Sequence, residues 1–252
     1  MHDDEELTVI KADASPESPL DEIEPVDAPS EEATPDPEAM LAQLWASEMS
    51  QRMRAARAFC DLQDERAIPF LIQLLSEVCP LVRVSAAYAL GRNPSRDAVD
   101  PLIAQLNRDW NGYVRKGIVW ALGNCSNRRS VNPLTHALTT DISAVRLWAA
   151  SSLAQIAKLE YEDMVATVPP LIQTLRQDLV AAVRSNCAWT LGQLCRELPS
   201  NVVYATAIDA LLEALVEDED VGVQEDAKAA LLRLGDPRGI QMIEELELEG
   251  LV

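Results

Sequence analysis

Two histidines, two phenylalanines and no zinc-type cysteine pair leave this chain little material for metal or redox chemistry. His2 and His136 lie far apart in sequence, and no His-Glu dipeptide occurs. The five cysteines, Cys60, Cys79, Cys125, Cys187 and Cys195, are odd in number and form no CxxC motif. That pattern argues against both a disulfide framework and a zinc site. No run of about 18 apolar residues occurs, so a membrane-spanning helix is not expected. The opening MHDDEE is neither the basic start of a signal peptide nor an arginine-rich transit sequence, and a reducing, cytoplasmic setting is the expectation. GxSxG, Walker and dinucleotide-binding fingerprints are missing too.

Charge of one sign is abundant, and it is unevenly spread. The formal net charge is −20, with −13 in residues 1–38, +3 in 39–208 and −10 in 209–252. A nearly neutral body between acidic ends is a poor match for nucleic acid, which needs a dense positive surface. Residues 1–39 contain six prolines, no glycine and no aromatic residue. Such a composition cannot offset the entropy of ordering, so a disordered acidic tail is expected there, dispensable for folding. The folded domain is expected over 40–252.

Repetition organises that domain. One segment, led by proline in most copies, reads IPFLIQLL (68–75), DPLIAQL (100–106), NPLTHAL (132–138), PPLIQTL (169–175) and DALLEAL (209–215). It alternates with QRMRAARAFC (51–60), VRVSAAYALG (82–91), VRKGIVWALG (114–123), VRLWAASSLA (145–154), VRSNCAWTLG (183–192) and the degenerate VQEDAKAALL (223–232). The position after the leading valine recurs at spacings of 31, 32, 31, 38 and 40 residues. Each unit reads as a helix hairpin whose first helix opens at proline, where the missing N–H is harmless. Nothing alternates with period two, so strands are not expected. A unit this short cannot bury its own apolar face, and six units must stack.

The combination of VRxxAAxALG with LGDPRGI (234–240) resembles the HEAT-like repeats of phycobilisome-lyase-type proteins, over about 210 of the 252 residues. The resemblance implies an all-α, right-handed solenoid of stacked HEAT-like hairpins. Such repeats serve many partners, and the expectation for this chain is a scaffold that holds a partner protein on its concave face, without cofactor. It also implies an alternative: a phycobilin lyase subunit or lyase-like chaperone handling a bilin tetrapyrrole, in a protein class that often works as heterodimers. Through VRLWAASSLAQIA and the acidic tail, the chain is similar as a whole to a cyanobacterial HEAT-repeat protein that pairs with an A-type iron–sulfur scaffold. That likeness implies a second alternative, an accessory role in iron–sulfur cluster assembly with a cluster at a shared interface. Deoxyhypusine hydroxylase uses similar hairpins but holds iron through His-Glu pairs, which this chain lacks.

Numbering each second helix from its valine as position 0, at 100° per residue, positions 0, 4, 7 and 8 share one face. Val82, Ala86, Ala89 and Leu90 are therefore core. Glycine at position 9 (Gly91, Gly123, Gly192) costs roughly 1 kcal/mol relative to alanine inside a helix, which points to close helix approach. Position 1 holds Arg52, Arg83, Arg115, Arg146 and Arg184, with Glu77, Asp109, Asp141 and Asp178 shortly before the valines. An Arg/Asp ladder linking successive repeats is the expectation, with anion binding as the alternative. Position 6 points away from the core and reads Arg57, Tyr88, Trp120, Ser151, Trp189 and Ala229, with Trp148 at position 3 beside Ser151. Arg92, Lys116 and Asn124 should flank this stripe. Aromatic rings on a solvated face commonly mark interaction sites, so the stripe is the candidate binding face; packing between helices is the competing reading. Cys187 falls on the core face. Cys187 and Cys195 stand eight residues apart on one helix, about 12 Å along its axis, too far for one metal. Cys60 and Cys125, two repeats apart, should be roughly 20 Å distant.

Overall fold

Helices in this chain begin where the sequence supplies a cap. Asp36, Ser95, Asn111, Asn201 and Asp220 each accept a hydrogen bond from a backbone N–H of the turn that follows. Those N–H groups have no partner within the helix, and the caps satisfy them. The computed structural model describes residues 35–156 and 160–249. Among the described residues there are thirteen α-helices and no strand. They are α1 (Pro37–Gln43), α2 (Met49–Ala58), α3 (Ile68–Leu74), α4 (Pro80–Arg92), α5 (Arg96–Leu106), α6 (Gly112–Asn124), α7 (Val131–Thr140), α8 (Ser143–Ile156), α9 (Tyr161–Gln177), α10 (Ala181–Cys195), α11 (Val202–Glu217), α12 (Val221–Leu234) and α13 (Pro237–Glu249).

Consecutive helices pair into six hairpins, α1/α2 through α11/α12, and α13 packs on α12 and α11 as a lone final helix. LGDPRG (234–239) is both a helix end and a helix start. Gly235 ends α12 in the left-handed region, at φ 66°, and Pro237 then opens α13. Most of the proposed tail, residues 1–34, lies outside the described residues. Its last three residues belong to α1 instead, because Asp36 caps, Pro37 opens and Glu38 sits in the first turn. A start signal this short is averaged away in a proline-rich composition.

Proline opens the first helix less often than expected. Pro69 lies at the start of α3, but Pro101 falls inside α5, and Pro169 and Pro170 fall inside α9. Ser95 caps α5 well upstream of its proline. The lost hydrogen bond is tolerated while Val99, Leu102 and Leu106 on one side, and Val168, Leu171 and Leu175 on the other, stay buried.

The second helices α2, α4, α6, α8, α10 and α12 form one continuous layer, packed together more extensively than the first helices are among themselves. Helices that pack more closely on one side of a stack form its inner side, which makes the second helices the inner layer. Val82, Ala86, Ala89 and Leu90 are fully buried, as are the equivalent Val114, Ile118, Ala121 and Leu122. Position-9 glycine sets the distance between neighbours. A Cβ on Gly91 would collide with the Trp120 ring, and one on Gly123 would sit 2.8 Å from the Ser152 hydroxyl and 3.2 Å from its Cα.

Candidate partner-binding face

The inner layer presents positions 2, 3, 6 and 10 of most second helices, with Tyr88, Gly117 and Trp120 as buried exceptions. Of the stripe assigned from the sequence, Arg57 and Arg92 are exposed, and Lys116, Asn124, Trp148 and Trp189 are half-buried. Tyr88 and Trp120 are each only 4% exposed. The expected row of open rings is corrected at these two positions. Trp120 lies across Gly91 of the preceding second helix, filling the space a side chain would take. The Tyr88 ring stands 5.6 Å from it, centroid to centroid. The reason is geometric: position 6 points away from its own hairpin but toward the seam with the neighbouring second helix. Where that neighbour carries glycine, a large ring drops into the seam. No hydrogen bond places the ring, since Trp120 Nε1 is buried and has no hydrogen-bond partner among the described residues.

Around the seam the face is cationic and aromatic. The Arg92 guanidinium lies 5.7 Å from the Trp120 ring centroid, and Lys116 Nζ lies 5.7 Å from that of Trp148. Asn124 donates to the Gly91 carbonyl at 3.2 Å, tying α6 to α4. Trp148 and Trp189 stand on the adjacent helices α8 and α10. The face thus combines partly open indoles with basic groups at their rims, and such rings are frequent anchors at protein interfaces.

The arginines at position 1 occupy a different place, beneath the turns that join the two helices of each repeat. Arg83 reaches forward to Asp109 of the next repeat through Nε (2.7 Å) and Nη2 (2.8 Å). Arg115 makes the same bidentate pair with Asp141, Arg146 with Asp178 and Arg184 with Asp218. Arg52 makes a single bond to Glu77 at 2.8 Å. Each arginine also donates through Nη1 to backbone carbonyls of its own turn, as Arg83 does to Glu77 and Val78. Gln224 keeps only this second function, donating to the Asp218 carbonyl at 2.7 Å. These side chains are occupied by protein partners, which leaves them little capacity for an external anion. Burial works to raise the Asp109, Asp178 and Asp218 carboxyls, but hydrogen bonds from the arginines and turn N–H groups outweigh it and hold all three below their ordinary value. The pairing with Asp141 raises Arg115.

The cysteines are packing residues. Cys187 and Cys195 are buried, and burial pushes the Cys195 thiol up to about 12 and Cys187 further in the same direction. Burial likewise raises Cys60 to about 12 and lifts Cys125. A protonated thiol is a poor metal ligand. Among the described residues, no group of three or more His, Cys, Asp or Glu is placed to hold a metal ion, and no helix is long and apolar enough to cross a membrane.

Sequence reasoning passed over the residues that follow each ladder acid. Val78, Trp110, Ile142 and Leu179 occupy equivalent turn tips and are exposed. The signal is legible as E-V, D-W, D-I and D-L, an apolar residue repeating after a ladder acid. It lies outside the helical periods because these residues fall in turns.

Comparison with known proteins agrees with this architecture. A family model for HEAT repeats matches residues 37–117, 99–167 and 168–249. Among curated proteins none matches the sequence. Similar solved structures include an engineered protein with TM-score 0.61 and 23% identity, covering 79% of this chain and 98% of that one. A designed armadillo repeat protein solved in complex with the peptide (KR)4 gives TM-score 0.59 at 20% identity, covering 79% and 98%. Kap121p gives TM-score 0.64 at 15% identity, covering 83% of this chain but only 24% of its own. At these identities the likeness concerns the fold alone. With its model matched across nearly the whole described region, the chain belongs to the HEAT-repeat family.

Proposed function

We propose that this protein is a non-catalytic scaffold that captures a partner protein on the inner face of its solenoid. One observation carries the reading: Trp148 and Trp189, partly open on adjacent inner helices, with Lys116 against the Trp148 ring. Indoles beside cations favour a partner segment that offers apolar and acidic side chains. A similar fold serves peptide binding in the designed armadillo protein solved with (KR)4. That peptide is basic, whereas Arg57, Arg92 and Lys116 favour the opposite charge here. Affinity purification from the native host with the parent chain and with a Trp148→Ala/Trp189→Ala variant tests the reading. A partner retained by the parent and lost by the variant is expected; equal retention overturns it. The lyase and iron–sulfur alternatives predict a visible absorption band in the purified protein, and the scaffold reading predicts a colourless one.

A further inference from the structure

The joints between the paired helices carry a second surface, separate from the inner face. At four consecutive intra-repeat joints the turn holds a ladder acid, and one also holds Arg108, but the segment that follows each acid, 78–81 (VCPL), 110–113 (WNGY), 142–144 (ISA) and 179–182 (LVAA), contains no charged residue, in a chain that is 25% charged. Their tips are unusually open: Val78 is 93% exposed, Trp110 and Tyr113 75% each, and Leu179 94%. Scattered apolar residues are ordinary on a surface, whereas an aligned row of them marks an interaction site.

The turns are also tied down by hydrogen bonds. Arg83, Arg115, Arg146 and Arg184 donate to carbonyls of the turn before their own helix. The ladder carboxylates accept from turn N–H groups, Asp109 from Asn111 and Asp178 from Val180. Arg83 additionally lies 5.9 Å from the Trp110 ring centroid. Apolar tips held this way lose little freedom on binding. The same hydrogen bonds occupy the main-chain groups that an extended peptide would need for pairing. A helix satisfies its own backbone and needs none of them.

From this we infer that the turn edge is a docking ridge for an amphipathic helix with an apolar face and lysine or arginine at both ends. Successive repeats stack at about 10 Å, and seven residues of α-helix rise about 10.5 Å. An apolar residue recurring every seventh position therefore meets one tip per repeat, and four tips require a helix of about 22 residues. Charge selects the ends. The flanking turns carry carboxylates, Glu48 before the row and Glu219 after it, both exposed. A second copy paired two-fold along this ridge would set Glu48 against Glu219. An anionic membrane would face a chain of net charge −20, and the cation in these turns, Arg108, already donates to Gln105 and Ser76.

The test uses the full chain and a labelled 24-residue helical peptide with leucine at every seventh position and a lysine pair at each end. A second peptide carries glutamates at the ends. Fluorescence anisotropy should show saturable binding of the lysine peptide. At least tenfold weaker binding is expected for the glutamate peptide, and for the parent's Trp110→Ser/Leu179→Ser variant, whose exposed sites leave the circular dichroism unchanged. Trp189→Ala on the inner face should leave this binding intact, so failure here and failure of the inner-face reading are separable. No binding of the lysine peptide overturns the inference. So does equal affinity in the Trp110→Ser/Leu179→Ser variant, or loss with Trp189→Ala alone. A dimer in sedimentation, or adsorption to anionic vesicles, that disappears in the Trp110→Ser/Leu179→Ser variant reassigns the ridge and likewise overturns it.

Discussion

Trp110 and Trp120 are ten residues apart in one repeat, yet the first is 75% exposed and the second 4%. The inner face and the turn edge differ in what the next repeat does to them. Along the inner face, each second helix is covered on its flank by its successor, and glycine lets a ring sink into the seam. At the turn edge the neighbour's contribution ends at the ladder carboxylate, and whatever follows projects into solvent. Exposure in a stack of repeats is thus decided between units, and a helical wheel drawn for one helix cannot supply it.

The sharpest way to break this comparison is to truncate the buried ring. Trp120→Ala should cost about 3–5 kcal/mol, as expected for a large aromatic removed from a packed interior, measured by urea unfolding. A loss below about 1 kcal/mol would return Trp120 to the surface. Arg83→Ala should be comparably severe, about 3–5 kcal/mol, because it strands the Asp109 carboxylate, whose side chain is fully buried. Arg115→Ala and Arg146→Ala remove pairs that are partly open to water. About 1–3 kcal/mol each is expected, with partner binding unchanged; lost binding at unchanged stability would move these residues into the binding face.

Acid should act through the same ladder. The folded-state pKa values of Asp109, Asp178 and Asp218 are depressed, so their stabilisation is complete above the ordinary value of 3.8. It is lost as pH falls through the lower folded values. The melting temperature should stay level from neutral pH to about 5 and drop below about 4. Asp109→Asn should flatten that drop; an unchanged acid profile in this variant would show that other groups control it.

The smallest effects belong to the turn edge and the end of the ladder. Trp110→Ala and Gln224→Arg should each change stability by no more than about 0.5 kcal/mol. Among the described residues no ladder acid stands ahead of Gln224, so an arginine there gains nothing forward. A Trp110→Ala loss as large as that of Trp120→Ala would erase the distinction between the two regions.

Much of the fold was legible because it repeats. Valine, alanine and leucine at positions 0, 4, 7 and 8 mark the core on a single helix, and the Arg and Asp offsets recur from unit to unit. Helix starts were less legible: Ser95 caps α5 upstream of Pro101, and a capping serine is a weaker mark than proline. The candidate site was half legible. Trp148, Trp189, Arg57, Arg92, Lys116 and Asn124 all reach the inner surface, while Tyr88 and Trp120 follow the same arithmetic into a seam. The outcome there depends on Gly91 and Gly117, which belong to the adjoining helices. Trp110 and Leu179 carry no periodic mark, because a turn has no period.

The central claim is capture of a partner by the inner face, and calorimetry on the purified partner tests it most directly. Two anchors of this kind typically cost about 2 kcal/mol or more when truncated. The Kd for Trp148→Ala/Trp189→Ala should therefore rise at least about 30-fold, with the melting temperature within a few degrees of the parent. An unchanged Kd in a folded variant would contradict the account.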